Sequence, residues 1–225
     1  PSGNVIADAE LRRLADIAER RDIPLIIDNA YGWPFPGIVF GEATPLWTGQ
    51  TVHVMSLSKF GLPGTRTAFV VAPPAIAAAV SSMMAVTGLA NGNFGQAIAG
   101  PLIADGEITR LSREVVRPFY LGKRNAALEA VAEFFPADLP YAFHENEGAL
   151  FLWLWIENSR KTSRELYENL KRRGVLVVPG EYFFFGDLEE DWSHRHECLR
   201  ISYAMGDADV RAGLKIIGSE IASAC

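Results

Sequence analysis

The segment Ser56-Leu-Ser-Lys-Phe-Gly-Leu-Pro-Gly-Thr-Arg66 sets one lysine between an apolar run and a glycine-containing turn, with hydroxyls before it and an arginine after it. A strand points alternate side chains to one face, so Ser56 and Ser58 are expected to project together while Lys59 begins the turn. Two hydroxyls, backbone amides made approachable by the glycines, and the forked donors of Arg66 form a cup suited to a phosphate. The order G-x-x-x-x-G-K-[ST] is absent, so this is not a nucleotide-binding loop of the Walker type. An amine beside a bound phosphate matches pyridoxal 5'-phosphate, whose aldehyde forms a Schiff base with an enzyme lysine.

Upstream, Asp28 ends the apolar run "PLIID". A carboxylate there suits the cofactor's ring nitrogen, keeping it protonated so that the ring can accept electrons from a carbanion at the substrate α-carbon. Tyr31, three residues on, offers a phenol to the ring oxygen. Each residue alone has a plainer reading. A lysine after a strand is usually solvated, an aspartate at a strand end usually shapes a turn, a tyrosine usually packs, and an exposed arginine usually makes a weak ion pair. The combination carries the argument. His194, His196 and Cys198 would share one face of a strand, but no second ligand pair completes a four-ligand zinc site, so no metal is expected. His53 reads as a core residue, and Glu181 to Gly186, "EYFFFG", as loop packing that could wall an apolar substrate pocket.

These side chains need elements to hold them. Asp8 is expected to cap a helix whose apolar face is Leu11, Leu14 and Ile17 with Ala18, ending before Pro24. "PLIIDNAY", "TVHVMSLS" and "RTAFVVAP" read as buried strands, which with the helix argues for an α/β fold: a mainly parallel sheet with helices on both faces. Ligands of such sheets gather beyond the carboxyl ends of the strands, where Asp28 and Lys59 fall. A small-residue-rich stretch follows, with "TGLANGNFGQ" as a loop between helices. Ile108, Leu111, Val115 and Phe119, then Leu128, Val131 and Phe135, keep helical spacing around Pro118, which should kink or interrupt the helix. "GALFLWLWI", "VLVVPG" and "CLRISYA" are strand signals, Thr162 with Glu165 is a capping box for a helix closed by Gly174, and Val210, Leu214, Ile217 and Ile221 mark a last helix. Residues 1–105 are therefore read as part of a large cofactor-binding domain, 106–135 as a connecting helix and 136–225 as a smaller α+β domain.

The chain has 225 residues, 49% hydrophobic and 21% charged, with a net charge of -6 spread along its length. That supports a soluble globular core and gives no basic footprint for nucleic acid or a membrane surface. Two cysteines, one of them the last residue, imply no disulfide framework. No apolar run approaches the roughly 20 residues that span a bilayer and the start does not resemble a signal peptide, so the expected compartment is the cytoplasm.

Taken in order, Asp28-Asn-Ala-Tyr31, Ser56-x-Ser-Lys59 and Arg66 resemble the fold-type I pyridoxal-phosphate aminotransferases of the aspartate aminotransferase superfamily. The opening "PSG" is similar to the end of that family's Asn-Pro-[Ser/Thr]-Gly motif, and Arg200 in "CLRISYA" to its C-terminal arginine. "DNAYGWPFPGI", "SLSKFGLPGTR", "RPFY", "EGALFLWLW" and "RGVLVVPG" extend the likeness over nearly the whole chain. The gap from Lys59 to Arg66 is one residue shorter than in many members.

The resemblance implies a transaminase acting between valine, or a similar small aliphatic amino acid, and a 2-oxo acid, pyruvate. It assigns Lys59, Tyr31 and Asp28 to catalysis, Asp28, Tyr31, Ser56, Ser58, Lys59 and Arg66 to the cofactor, and Arg200 to the substrate carboxylate. It also implies a homodimer, with "TGLANGNFGQ" reaching the partner's cofactor. Two alternatives share these features: a pyridoxal-phosphate lyase of the same fold, and an aminotransferase-like ligand-binding domain of a transcription regulator. In the family, residues before the opening motif supply a glycine-rich phosphate loop and a ring-stacking aromatic. The 225-residue chain is therefore expected to lack its natural start, to bind the cofactor weakly and to turn over negligibly.

Overall fold

The computed structural model describes residues 2–89, 92–186 and 192–224. They form two compact units: Val5–Phe119, and Pro1–Asn4 with Tyr120–Cys225.

The first unit opens with α1 (Asp8–Arg20), whose N-cap is Ala7 with no side-chain cap. Asp8 is thus the first helical residue and not the cap that its type suggests. Its Oδ1 instead accepts the Thr44 amide at 3.0 Å, and that bond holds the carboxyl below its usual range. The buried stripe is Ala15 and Ala18, while Leu14 and Ile17 are exposed. Residues three apart share a stripe, and Leu14 and Ile17 each sit about 100° round the helix from that stripe, so the expected apolar face is only partly used within this unit.

Strands β1 (Leu25–Asp28), β2 (Thr51–Ser56) and β3 (Ala68–Val71) form a sheet in that order. β1 and β2 are parallel, with Leu25 opposite Thr51 and Asp28 opposite Val54. β3 returns antiparallel, with Ser56 opposite Ala68. A parallel return needs a crossover of about a dozen residues or more, which residues 57–67 do not supply. Within the mainly parallel sheet that the sequence suggests, these three strands thus supply one parallel pair and one antiparallel return. Helices α2 (Pro74–Thr87), α3 (Phe94–Ala104) and α4 (Glu107–Leu111) complete the unit. Its core gathers Phe35, Met55, Leu57, Ala99 and Ile108. Within "TGLANGNFGQ", Ala90 and Asn91 lie outside the described residues, as does Pro1 of the opening motif.

After α4, Ser112–Val116 forms a π-turn that leads into α5 (Arg117–Phe134). Pro118 is the second residue of α5. It cannot donate to the carbonyl of Glu114, and its ring crowds that carbonyl. The interruption expected there takes the form of a π-turn just upstream, a local widening that relieves both conflicts.

The second unit contains β4 (Tyr141–Phe143), β5 (Phe151–Ile156), α6 (Ser163–Arg172), β6 (Val178–Pro179), β7 (Cys198–Ser202) and α7 (Asp207–Ala222). Its sheet is antiparallel throughout, in the order β4-β5-β7-β6. Alternation along β5 and β7 divides the sheet cleanly. Leu152, Leu154, Ile156, Leu199 and Ile201 form one core with Ala127, Leu166, Leu170, Leu214, Ile217 and Ile221. The other face carries Phe151, Trp153, Trp155, Cys198 and Arg200. The capping box is present: Thr162 Oγ1 accepts the Glu165 amide and the Glu165 carboxylate accepts the Thr162 amide at 2.8 Å. Gly174 follows α6 at φ 80°. Among the described residues, no helix is long and apolar enough to cross a membrane.

Glu220 of α7 is buried and ties this unit together. It accepts from Lys161 Nζ at 2.9 Å, Asn169 Nδ2 at 2.7 Å and Arg173 Nη1 at 3.4 Å. Burial works against its charge, but the hydrogen bonds from Lys161 and Asn169, the Lys161 charge and the Arg173 bond outweigh it, so the carboxyl lies below its usual range. A carboxyl with a depressed folded pKa stabilises the fold above its unfolded pKa, and that contribution is lost as pH falls through the folded value. Glu220→Gln should therefore lower the urea midpoint at neutral pH and flatten its fall through the carboxylate range. A pH dependence equal to wild type would show that Glu220 contributes nothing to it.

Candidate active site

The lysine turn starts where β2 ends, at Ser56, so strand alternation does not carry on to Ser58 as the sequence pattern suggests. A turn replaces it: the Ser58 amide donates to Ser56 Oγ at 3.1 Å, and the Leu57 amide donates to Thr67 O at 3.1 Å. The amides of Phe60 and Leu62 both donate to Leu57 O, at 3.1 and 3.0 Å. The Leu57 side chain is fully buried in the core, and Lys59, two residues on, is left half-exposed. The 3-10 turn Pro63–Thr65 then delivers Arg66 in a left-handed conformation, φ 47° and ψ 44°. That costs a non-glycine residue roughly 1–2 kcal/mol. Arg66 Nη1 donates to Pro63 O at 3.3 Å and reaches Ser58 Oγ at 3.5 Å. Ser56, Ser58 and Arg66 are thus brought together.

Asp28 closes β1 on the sheet face that also carries Ser56, because Asp28 pairs with Val54 and Ser56 is two residues further along β2. Its Oδ1 accepts the Ala30 amide at 3.2 Å. The Asn29 amide extends the ladder to Val54 O at 2.8 Å, and Asn29 Nδ2 donates to Trp33 O. Beyond this point the chain folds back: the Ile38 amide donates to Tyr31 O at 2.8 Å. Lys59 Nζ lies 5.6 Å from the centre of the Tyr31 ring, within cation–π range. The two motifs, distant in sequence, meet through this pair.

Arg200 belongs to the other unit. It lies in β7, opposite Trp153 of β5 and Val178 of β6. Its guanidinium sits 4.2 Å from the centre of the Phe151 ring and 4.7 Å from that of Phe183. Both rings are within cation–π range, so they restrict where the guanidinium fork can lie. Phe183 in turn packs edge-on against Trp153 at 5.7 Å. Its 3-10 turn, Gly180–Phe183, is held close to β7: a Cβ on Gly180 would stand 2.5 Å from Cys198 Cβ. Glu181 adds an ion pair to Arg164 at 2.8 Å and a hydrogen bond with His196 Nδ1 at 3.1 Å.

Sequence alone missed the two rings that lie against Arg200. The signals were the alternating aromatics of β5 and the run "EYFFFG", whose Phe183 reaches Arg200 while Phe185 is 92% exposed. The strand expected for His194, His196 and Cys198 is also corrected. Ser193–His196 is a 3-10 turn, so the period-two rule does not align the three. His194 packs against Trp155 at 5.0 Å, and burial pushes the Cys198 thiol up to about 12. Among the described residues no three His, Cys, Asp or Glu side chains gather as metal ligands.

A lysine turn and an aspartate–tyrosine loop at the ends of a parallel strand pair, together with an arginine strand in a separate antiparallel unit, define the fold-type I aminotransferase class. The family model for aminotransferase class I and II matches residues 1–217, and the chain belongs to that family. Over 221 residues it is 43% identical to valine–pyruvate aminotransferase of Escherichia coli (strain K12), a match covering 98% of this chain and 52% of that protein. Among solved structures, a putative amino-acid aminotransferase from Psychrobacter arcticum 273-4 matches with TM-score 0.96 and 45% identity, over 100% of this chain and 51% of the other. Valine-pyruvate aminotransferase AvtA from Salmonella typhimurium LT2 matches with TM-score 0.94 and 42% identity, over 100% and 57%. The chain spans about half the length of these relatives.

Leu57 anchors the lysine turn, so Leu57→Ala should destabilise the fold by about 2–5 kcal/mol through the cavity it leaves. Urea unfolding measures this, and a loss below about 1 kcal/mol would mean that the turn does not depend on that anchor.

Proposed function

We propose that the protein is a pyridoxal-phosphate-dependent aminotransferase that moves an amino group between valine, or a similar small aliphatic amino acid, and pyruvate. The observation that carries this reading is the meeting of Lys59 with Tyr31 in the same turn that gathers Ser58 and Arg66. The likeness to the valine–pyruvate enzymes supports the choice of substrates.

The residues present suit the cofactor by their chemistry. The hydroxyls of Ser56 and Ser58 and the guanidinium of Arg66 are a donor set for a phosphate dianion. The Asp28 carboxylate is a partner for a protonated ring nitrogen, the Tyr31 phenol a donor to a ring oxygen, and the Lys59 amine the group that bonds an aldehyde. When bound, pyridoxal phosphate supplies an electron-accepting ring that stabilises negative charge at the substrate α-carbon. Lys59 takes the α-proton and returns it, and the Tyr31 ring restricts where its amine can lie. Arg200, with its guanidinium over the Phe151 and Phe183 rings, grips the substrate carboxylate through two parallel hydrogen bonds. That orients the amino acid before any proton moves, which is where much of a rate advantage arises.

The same reading places the protein in the cytoplasm as a homodimer. Supporting association, Val86, Leu89 and Phe94 are 86%, 88% and 81% exposed, an apolar display of the kind that marks an interface. Sedimentation at micromolar concentration should give a dimer, and a monomer throughout would remove that element.

Borohydride reduction of the chain in excess pyridoxal phosphate, followed by peptide mapping, should place the label on Lys59. Label on a different lysine, or none, would defeat the assignment. Arg200→Lys should leave this labelling intact. It should weaken binding of 3-methylbutanoate, followed by tryptophan fluorescence, by about tenfold or more, because a lysine cannot reproduce the bidentate charged pair. Equal affinity in the two proteins would show that Arg200 is not the carboxylate site.

A further inference from the structure

The π-turn Ser112–Val116 aligns two side chains that a regular helix would separate. Its closing bond runs from the Arg117 amide to the Ser112 carbonyl. In an α-helix, at 3.6 residues per turn, positions five apart point about 140° away from each other. A turn closed from i to i+5 brings such positions close to one face. Here both ends grip the same segment. Ser112 Oγ, fully buried, donates to Pro36 O at 2.9 Å. Arg117 Nε donates to Val39 O at 3.0 Å and Nη2 to Phe40 O at 3.4 Å.

The gripped segment reaches directly into the candidate site. Gly37 follows Pro36 at φ 70°, and a Cβ there would stand 2.3 Å from Ser112 Oγ, so the contact admits only glycine. The Gly37 amide donates to Gly32 O at 2.9 Å and the Ile38 amide to Tyr31 O at 2.8 Å. Phe35 of the same segment packs edge-on against Phe60 and Phe69, at 6.3 and 5.5 Å between ring centres. Phe60 is the residue after Lys59. Both members of the Tyr31–Lys59 pair are therefore referenced to the π-turn, one through hydrogen bonds and the other through packed rings.

We propose that Ser112 and Arg117, brought to one face by the π-turn, are positioning residues that hold Tyr31 against Lys59. The proposal rests on the reading above, in which Tyr31 and Lys59 meet pyridoxal phosphate. Pro118 explains why the helix is irregular at this point. It does not explain why the side chains at both ends of the irregularity bind one loop, and that loop the one that closes on Tyr31.

Amide hydrogen exchange on the chain without cofactor tests the clamp. In Ser112→Ala and in Arg117→Gln, the amides of Gly37 and Ile38 should exchange about tenfold faster or more, while Asn29, bonded into the sheet at Val54 O, keeps its wild-type rate. With excess pyridoxal phosphate, the pH midpoint of the bound chromophore's absorbance should move by about one unit, since it depends on the donor that Tyr31 presents. Unchanged exchange at Gly37 and Ile38 overturns the clamp, and so does acceleration that includes Asn29, the mark of general destabilisation. Faster exchange with an unmoved midpoint overturns the link to Tyr31 and Lys59. A wild-type chain that takes no label on Lys59 defeats the functional reading instead, and the exchange rates still decide the clamp.

Discussion

The burial of Leu57 is the constraint on which the first unit's site depends. Its side chain is wholly inside the core, and its amide and carbonyl close the turn by bonding Thr67 and the amides of Phe60 and Leu62. With that residue pinned, Lys59 falls just past the end of β2, half-exposed. β1, parallel to β2, ends two residues short of it and delivers Asp28 and then Tyr31 at the same end of the sheet. A parallel pair has its carboxyl ends on one side, so two segments far apart in sequence deliver their polar residues to the same place. The lysine turn is too short for a parallel crossover, so β3 returns antiparallel, and the turn itself brings Arg66 back within reach of Ser58.

The second unit solves a different problem, that of presenting one cation on an otherwise apolar strand. Period-two alternation sends Leu152, Leu154 and Ile156 into the helices and leaves Phe151, Trp153 and Trp155 on the opposite face. Arg200 emerges on that aromatic face, with its guanidinium within cation–π distance of Phe151 and Phe183. Charge is managed otherwise on the helical side, where Glu220 is buried and surrounded by donors. Leaving such a carboxylate without its partners would cost far more than a surface pair is worth.

Irregular backbone recurs where side chains must be aimed. Arg66 adopts a left-handed conformation, Gly180 packs tight against β7, and a π-turn interrupts the helix at Ser112. Regular helices and strands fix directions at multiples of their period, so a donor required between those directions needs a local departure from the period. Each departure here lies beside a candidate functional side chain or the loop that carries one.

What the sequence determined by itself was whatever short-range rules govern. The capping box of Thr162 and Glu165, the stop at Gly174, the apolar stripe of Leu214, Ile217 and Ile221, and the two short motifs Asp28 to Tyr31 and Ser56 to Arg66 taken singly depend on residues a few positions apart, so local spacing suffices to read them. Tertiary structure alone decided the rest. Asp8 prefers the Thr44 amide to its own helix end, and Leu14 and Ile17 stay exposed while Ala15 and Ala18 are buried. Phe183 reaches Arg200, and Ser112 reaches Pro36 across most of the unit. In each case the deciding partner lies far along the chain, and no local pattern encodes which distant donor, ring or carbonyl will be adjacent once the core has closed.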